Sequence, residues 1–156
     1  MNISKEGVNL ICEFEAFRDE AYLDIAGVWT VGYGTTIYPN GVKVKQNDFC
    51  NELEAQGWVL FHLNNIIEAV NSLNLNQTQF DACCSLAYNI GLGNFLNSTL
   101  YRYAKEDPND SRIYLYDPHN PALTSEFTRW IYIKGKQNKG LLNRRIKEAD
   151  LYSPLT

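Results

Sequence analysis

The chain switches between stretches with a three-to-four-residue apolar period and short stretches with a two-residue period, and the first switch comes early. Val8, Ile11 and Phe14 recur at helical spacing after Ser4, a residue suited to capping, so the opening segment is predicted to form a helix carrying Glu15 on or beside its buried edge. Trp29, Val31 and Tyr33 then alternate with Thr30, Gly32 and Gly34, the pattern of a short half-buried strand whose glycine face is left bare for a substrate. Pro39-Asn40-Gly41 reads as a turn and Val42 and Val44 as a returning strand, which makes a small antiparallel sheet. After Asn47 or Asp48 as a cap, Leu53, Gly57, Leu60, Leu63 or Asn64, Ile67 and Val70 predict a helix of about 20 residues or more, long enough to link two lobes.

The second half is helical almost throughout. Asn76 with Gln79 three positions on is a capping box, opening a mostly apolar and therefore central helix through Phe80, Cys83, Cys84, Leu86, Ala87 and Ile90, stopped by Gly91 and Gly93. Shorter helices are predicted near Thr99 to Lys105, Thr124 to Ile133 and Asn138 to Leu151, and the proline-rich, Asp- and Asn-rich stretch from Asp107 to Pro121 reads as an irregular surface loop.

Composition narrows the class. With 156 residues, 45% of them hydrophobic, the chain holds one well-buried core and therefore one domain with room for two lobes. No apolar run approaches the roughly 20 residues of a membrane span, and the start lacks the apolar stretch of a secretory signal, so synthesis in the cytoplasm and no stable membrane insertion are expected. Cys12, Cys50, Cys83 and Cys84 show no CxxC pairing and no His at ligand spacing, which points to reduced thiols and no metal site. A net charge of −4 argues against nucleic acid as a partner. The charge is uneven, however: Lys134, Lys136, Lys139, Arg144, Arg145 and Lys147 fall in one stretch without an acidic residue, a basic face able to meet an anionic polymer.

Candidate chemistry sits at the first helix–strand switch. Cleaving a glycosidic bond takes a proton donor for the departing oxygen and a second group that activates water or stabilises positive charge on the sugar, and two carboxyl groups supply both. Glu15 at a helix end, Asp24 in the following turn and the Thr30 hydroxyl on the adjoining strand are three groups able to converge on one bond. Glu13, Asp19 and Glu20 are competing carboxylates.

The text around these residues, Phe14-Glu15-Ala16-Phe17-Arg18, Ala21-Tyr22-Leu23-Asp24 and Gly27-Val28-Trp29-Thr30-Val31-Gly32-Tyr33-Gly34, resembles the active-site segment of phage-type lysozymes, glycoside hydrolase family 24. The resemblance continues through Gln79-Phe80-Asp81-Ala82, Ser85-Leu86-Ala87-Tyr88-Asn89-Ile90-Gly91, Phe127-Thr128-Arg129-Trp130 and Gly140-Leu141-Leu142-Asn143-Arg144-Arg145 with Glu148, and it is weakest from Asp107 to Ser125. It implies a mostly helical, lysozyme-like α+β fold: a small N-terminal lobe with a short antiparallel sheet, a long connecting helix, a helical C-terminal lobe and a cleft between them. The implied lobes are residues 14–60 and residues 1–13 with 70–156.

By position, Glu15 looks like the general acid, Asp24 like the carboxylate that orients water or stabilises the oxocarbenium-like centre, and Thr30 like a hydroxyl that helps place the water. Gly32, Tyr33, Asn89 and Arg144 look like substrate-binding positions. The implied activity is an N-acetylmuramidase of peptidoglycan, inverting, monomeric and without a cofactor, reaching the wall through a holin or a secretion device. A lytic transglycosylase and an inactive wall-binding module are the alternatives. The chain departs from the family in having Ala16 where many relatives have Gly, Thr35 where many have His, and an acidic pI near 5.2.

Overall fold

A computed structural model of the chain describes residues 1–154. The elements run α1 (Lys5–Glu15), β1 (Arg18–Leu23), β2 (Trp29–Gly32), α2 (Glu52–Val70), α3 (Gln77–Ile90), α4 (Leu92–Leu96), α5 (Thr99–Glu106), α6 (Ser111–Tyr114), a 3₁₀ turn (Phe127–Arg129), β3 (Tyr132–Ile133), β4 (Lys136–Gln137) and α7 (Lys139–Tyr152). It is an α+β fold, mostly helical, with two small antiparallel pairs, β1–β2 and β3–β4. The chain divides into two compact units, Val8–Asn64 and Met1–Gly7 with Asn65–Thr156.

In the Val8–Asn64 unit, β1 and β2 form a hairpin with Tyr22 opposite Thr30 and Leu23 opposite Trp29. The sequence pattern misses β1, because Arg18, Asp19 and Glu20 put three exposed charges in a row where a strand signal should alternate. The Pro39–Gly41 turn forms, with Gly41 N–H donating to Tyr38 O and Tyr38 N–H to Val42 O, but the returning strand shrinks to the single bridge Ile37–Lys43. The cap of α2 is neither Asn47 nor Asp48. Asn51 and Glu54 cap it reciprocally, the Asn51 Oδ1 taking Glu54 N–H at 2.8 Å and the Glu54 Oε1 taking Asn51 N–H at 3.2 Å.

The expected apolar stripe of α2 holds at Leu63 and Val70 and is displaced in the first turns of the helix. Leu53 is 79% exposed, whereas Ala55, Val59, Leu63, Ile66 and Val70 are the buried residues. Small residues meet at those first turns: a Cβ added at Gly32 would lie 2.9 Å from the Cβ of Ala55, so β2 and α2 approach where both side chains are minimal.

In the other unit, α3 is central as the pattern predicts, with every residue from Gln79 to Ala87 buried and the Asn76–Gln79 capping box formed. Gly91 closes it, but Gly93 falls inside α4 rather than acting as a stop. Helix α3 packs on α7, and their seam holds a buried ionic cluster. Glu148, fully buried, receives the Ser85 hydroxyl at 2.6 Å and pairs with Arg144 at 3.2 Å and Arg145 at 2.8 Å. Two of the six residues of the basic run are therefore structural; removing Glu148 alone would leave buried arginines without their anion, an arrangement costing about 3–5 kcal/mol.

The N-terminus joins this unit through Ser4, whose N–H and hydroxyl both donate to the Asp81 carboxylate while its oxygen takes Gly7 N–H at 3.1 Å. Two expectations for this unit fail. Asp107 to Pro121 contains the helical turn α6, capped by Asp110. Thr124 to Ile133 is not a helix: reciprocal Ser125–Thr128 hydrogen bonds limit it to one 3₁₀ turn, and Lys134 and Gly135, at φ 50° and 78°, then turn the chain into the β3–β4 hairpin.

One local conformation departs from what its residue prefers. Helix α1 ends with Ala16 at φ 54°, its N–H donating to Cys12 O at 3.1 Å, a left-handed closure normally given to glycine. The strain of about 1–2 kcal/mol exceeds the entropy that alanine saves in the unfolded chain, about 0.4–1 kcal/mol. Ala16→Gly is expected to raise stability by about 0.5–1 kcal/mol in urea unfolding, with an unchanged m-value.

Candidate active site

Glu15 is the last residue of α1, and the left-handed Ala16 turns the backbone away so that the side chain leaves the helix end. It lies against Gly34, where an added Cβ would come 2.7 Å from the Glu15 Oε2. Gly34 stands at φ +81° in a tight turn closed by Val31 and Thr35, which exchange both backbone hydrogen bonds at 2.9 and 3.0 Å. The carboxyl group therefore sits on bare backbone that only glycine provides. Cys12, one helical turn earlier, has its thiol pKa raised by burial and by the charge of Glu15. All four cysteines are free.

Asp24 opens the turn between β1 and β2. Its Oδ1 accepts Ala26 N–H at 2.8 Å and Val28 N–H at 2.9 Å, and its own N–H donates to Val28 O at 3.0 Å. Its Oδ2 takes no part in these bonds. Thr30, buried on β2, donates its hydroxyl to the same Val28 O at 2.9 Å. The one hydroxyl proton is thereby committed, and what the Thr30 oxygen offers any further partner is a lone pair. Val28 thus ties the two side chains together: its N–H holds the carboxylate and its carbonyl holds the hydroxyl.

Gly32 and Tyr33 are placed differently from the expectation of a bare strand face. Gly32 is covered by Ala55 and the Cys50 sulfur, and Tyr33 is 7% exposed with its ring against Phe17. The glycine serves packing on α2. Thr35 is buried with a hydroxyl that makes no hydrogen bond among the described residues.

In the other unit, Asn89 is exposed at the end of α3 and lines an open groove of about 580 Å³ together with Asn94, Arg129, Trp130, Tyr132 and Leu141. Arg144 is buried; it donates to Glu148 and, at 3.3 Å, to Ser85 O, which makes it a brace between α3 and α7. No group of three or more metal-ligating side chains occurs among the described residues, and no helix among them is long and apolar enough to cross a membrane.

Residues 12–148 match the sequence model of the family described as Phage lysozyme. The chain belongs to that family. It is 33% identical over 158 residues to an endolysin of Bacillus phage PZA, an alignment covering 98% of this chain and 55% of the relative. The chain spans about half the length of that endolysin and of its Bacillus phage B103 counterpart, of which it covers 54%. Among solved structures, an endolysin from Escherichia coli O157:H7 phage FAHEc1 superposes with a TM-score of 0.84 at 30% identity, covering 100% of this chain and 96% of that one. The muramidase domain of SpmX from Asticaccaulis excentricus superposes with a TM-score of 0.77 at 28% identity, covering 97% of each.

Sequence reasoning missed the anchoring role of Val28, since a backbone peptide leaves no trace in residue type. The contact at Gly34 yields a direct test. Gly34→Ala is expected to push the Glu15 carboxyl aside and so to cut the lytic activity proposed below on the order of a hundredfold, measured as turbidity loss of a sacculus suspension with the fold checked by circular dichroism.

Proposed function

We propose that the protein is an N-acetylmuramidase that hydrolyses the β-1,4 bond from N-acetylmuramic acid to N-acetylglucosamine in peptidoglycan, with inversion at the anomeric carbon. The observation that carries this reading is the tie of Asp24 and Thr30 through Val28, set beside a glutamate wedged on glycine in a chain of the phage lysozyme family. An inverting hydrolase needs a water held by acceptors on the face opposite the leaving group. A water donating one proton to the Asp24 carboxylate and the other to the Thr30 oxygen keeps a lone pair for the sugar carbon. In the reaction, water oxygen bonds to the anomeric carbon as the glycosidic bond breaks, Glu15 gives its proton to the departing oxygen, and Asp24 takes the proton that the water loses.

In the same reading Asn89 contributes an amide to sugar binding, and the enzyme acts as a monomer on the wall after export by a holin or a secretion device. The intact carboxylate pair disfavours a wall-binding module. A transglycosylase needs no positioned water, so the bond pattern around Val28 favours hydrolysis.

Mass analysis of sugar ends from digested sacculi checks the proposal. Wild type should release hydrated reducing ends, and Glu15→Gln should lower the rate by about 10²–10⁴. Ends of the 1,6-anhydro type, or equal rates for the two proteins, would overturn it.

A further inference from the structure

We propose that the Tyr22 hydroxyl donates a hydrogen bond to the substrate beside the scissile bond, and that Arg18, laid over the same ring, is the positioning residue that holds it there. The inference rests on the hydrolase reading above and adds a group which that reading does not use. Its first support is register. Tyr22 is the direct partner of Thr30 across β1 and β2, and residues opposed in an antiparallel pair present their side chains to one face with Cβ atoms about 5 Å apart.

The second support is an irregularity with a visible cause. Arg18 stands opposite Gly32 and Tyr22 opposite Thr30, so β1 carries more residues than β2 over the same stretch. The surplus is drawn off by another partner: Cys50 N–H donates to Asp19 O and Ala21 N–H to Asp48 O, each at 2.9 Å. Bulges of this kind re-aim side chains beside active sites. Here the result is the Arg18 guanidinium carbon 4.2 Å from the centroid of the Tyr22 ring. Arg18 forms no ion pair among the described residues, so stacking on this ring is what fixes an otherwise exposed side chain.

The third support is the surroundings of the phenol. Tyr22 is half-buried, and its hydroxyl makes no hydrogen bond to a described residue. Its pKa is raised by burial and by the charges of Glu15 and Asp24, against an opposing contribution from Arg18. The two carboxyl groups of the proposed reaction therefore both act on this hydroxyl, and it stays protonated and able to donate. A role confined to packing would need the ring and not the oxygen.

The test measures kcat and KM on soluble peptidoglycan fragments, with unfolding temperatures, for wild type, Tyr22→Phe, Arg18→Met, Arg18→Lys and Glu15→Gln. Tyr22→Phe should lower kcat about tenfold, the weight of one neutral hydrogen bond, with KM within about twofold and an unchanged unfolding temperature. Arg18→Met should lower kcat in the same direction and Arg18→Lys should restore it. A Tyr22→Phe enzyme with kcat within about twofold of wild type, or one whose loss follows a lower unfolding temperature, would overturn the inference while leaving the hydrolase reading in place. A wild type no faster than Glu15→Gln would overturn both.

Discussion

Everything proposed for this site hangs on the two peptide groups that flank Val28. Asp24 spends one carboxylate oxygen on two backbone N–H groups, and Thr30 spends its only proton on a carbonyl. In another setting these would be ordinary turn and strand bonds. Their joint effect is to leave one carboxylate oxygen and one hydroxyl lone pair oriented by a single residue, so the two cannot drift apart without opening the hairpin. A water held by such a pair is placed by the backbone rather than by flexible side chains, which costs no reorganisation when the reaction begins.

The rest of the unit brings the Glu15 carboxyl, the proposed proton donor, to the same hairpin through small residues. Gly34 lets the Glu15 carboxyl lie on the main chain, and Gly32 with Ala55 lets α2 press against β2. The left-handed turns at Ala16, Gly32 and Gly34 show where the chain accepts local cost for these contacts. Of the three, Ala16 is the one that lacks a glycine, so the strain falls next to the end of α1 that carries Glu15. In the other unit the brace of Ser85, Arg144, Arg145 and Glu148 locks α3 to α7, which explains why two of the six residues of an apparently basic run contribute no surface charge.

Much of this was legible in the sequence, for reasons that differ by element. The helices α1 and α3 were readable because caps and apolar periodicity agree: Ser4 and Asn76 cap as their residue types predict. The family text around Glu15, Asp24 and Thr30 spans the end of α1 and the β1–β2 hairpin. Three features escaped. β1 is held by hydrogen bonds to its neighbours despite a charged, exposed sequence, and the first turns of α2 bury Ala55 rather than Leu53, against a glycine on another element. The supposed helix from Thr124 to Ile133 was lost to Ser125–Thr128 bonding and a Lys134–Gly135 turn. In each case a partner distant in the chain, or a side-chain bond to backbone, outweighed local periodicity.

Asp24 and Thr30 are proposed to hold the attacking water together on the face opposite the leaving group. Proton NMR of the first-formed anomer in D₂O, recorded on peptidoglycan fragments before mutarotation, tests it most directly. The claim predicts the α anomer as the initial product. An initial β anomer would mean that the attack comes through an enzyme-bound intermediate or from the other face, and the water-holding role of the Val28-anchored pair would be wrong.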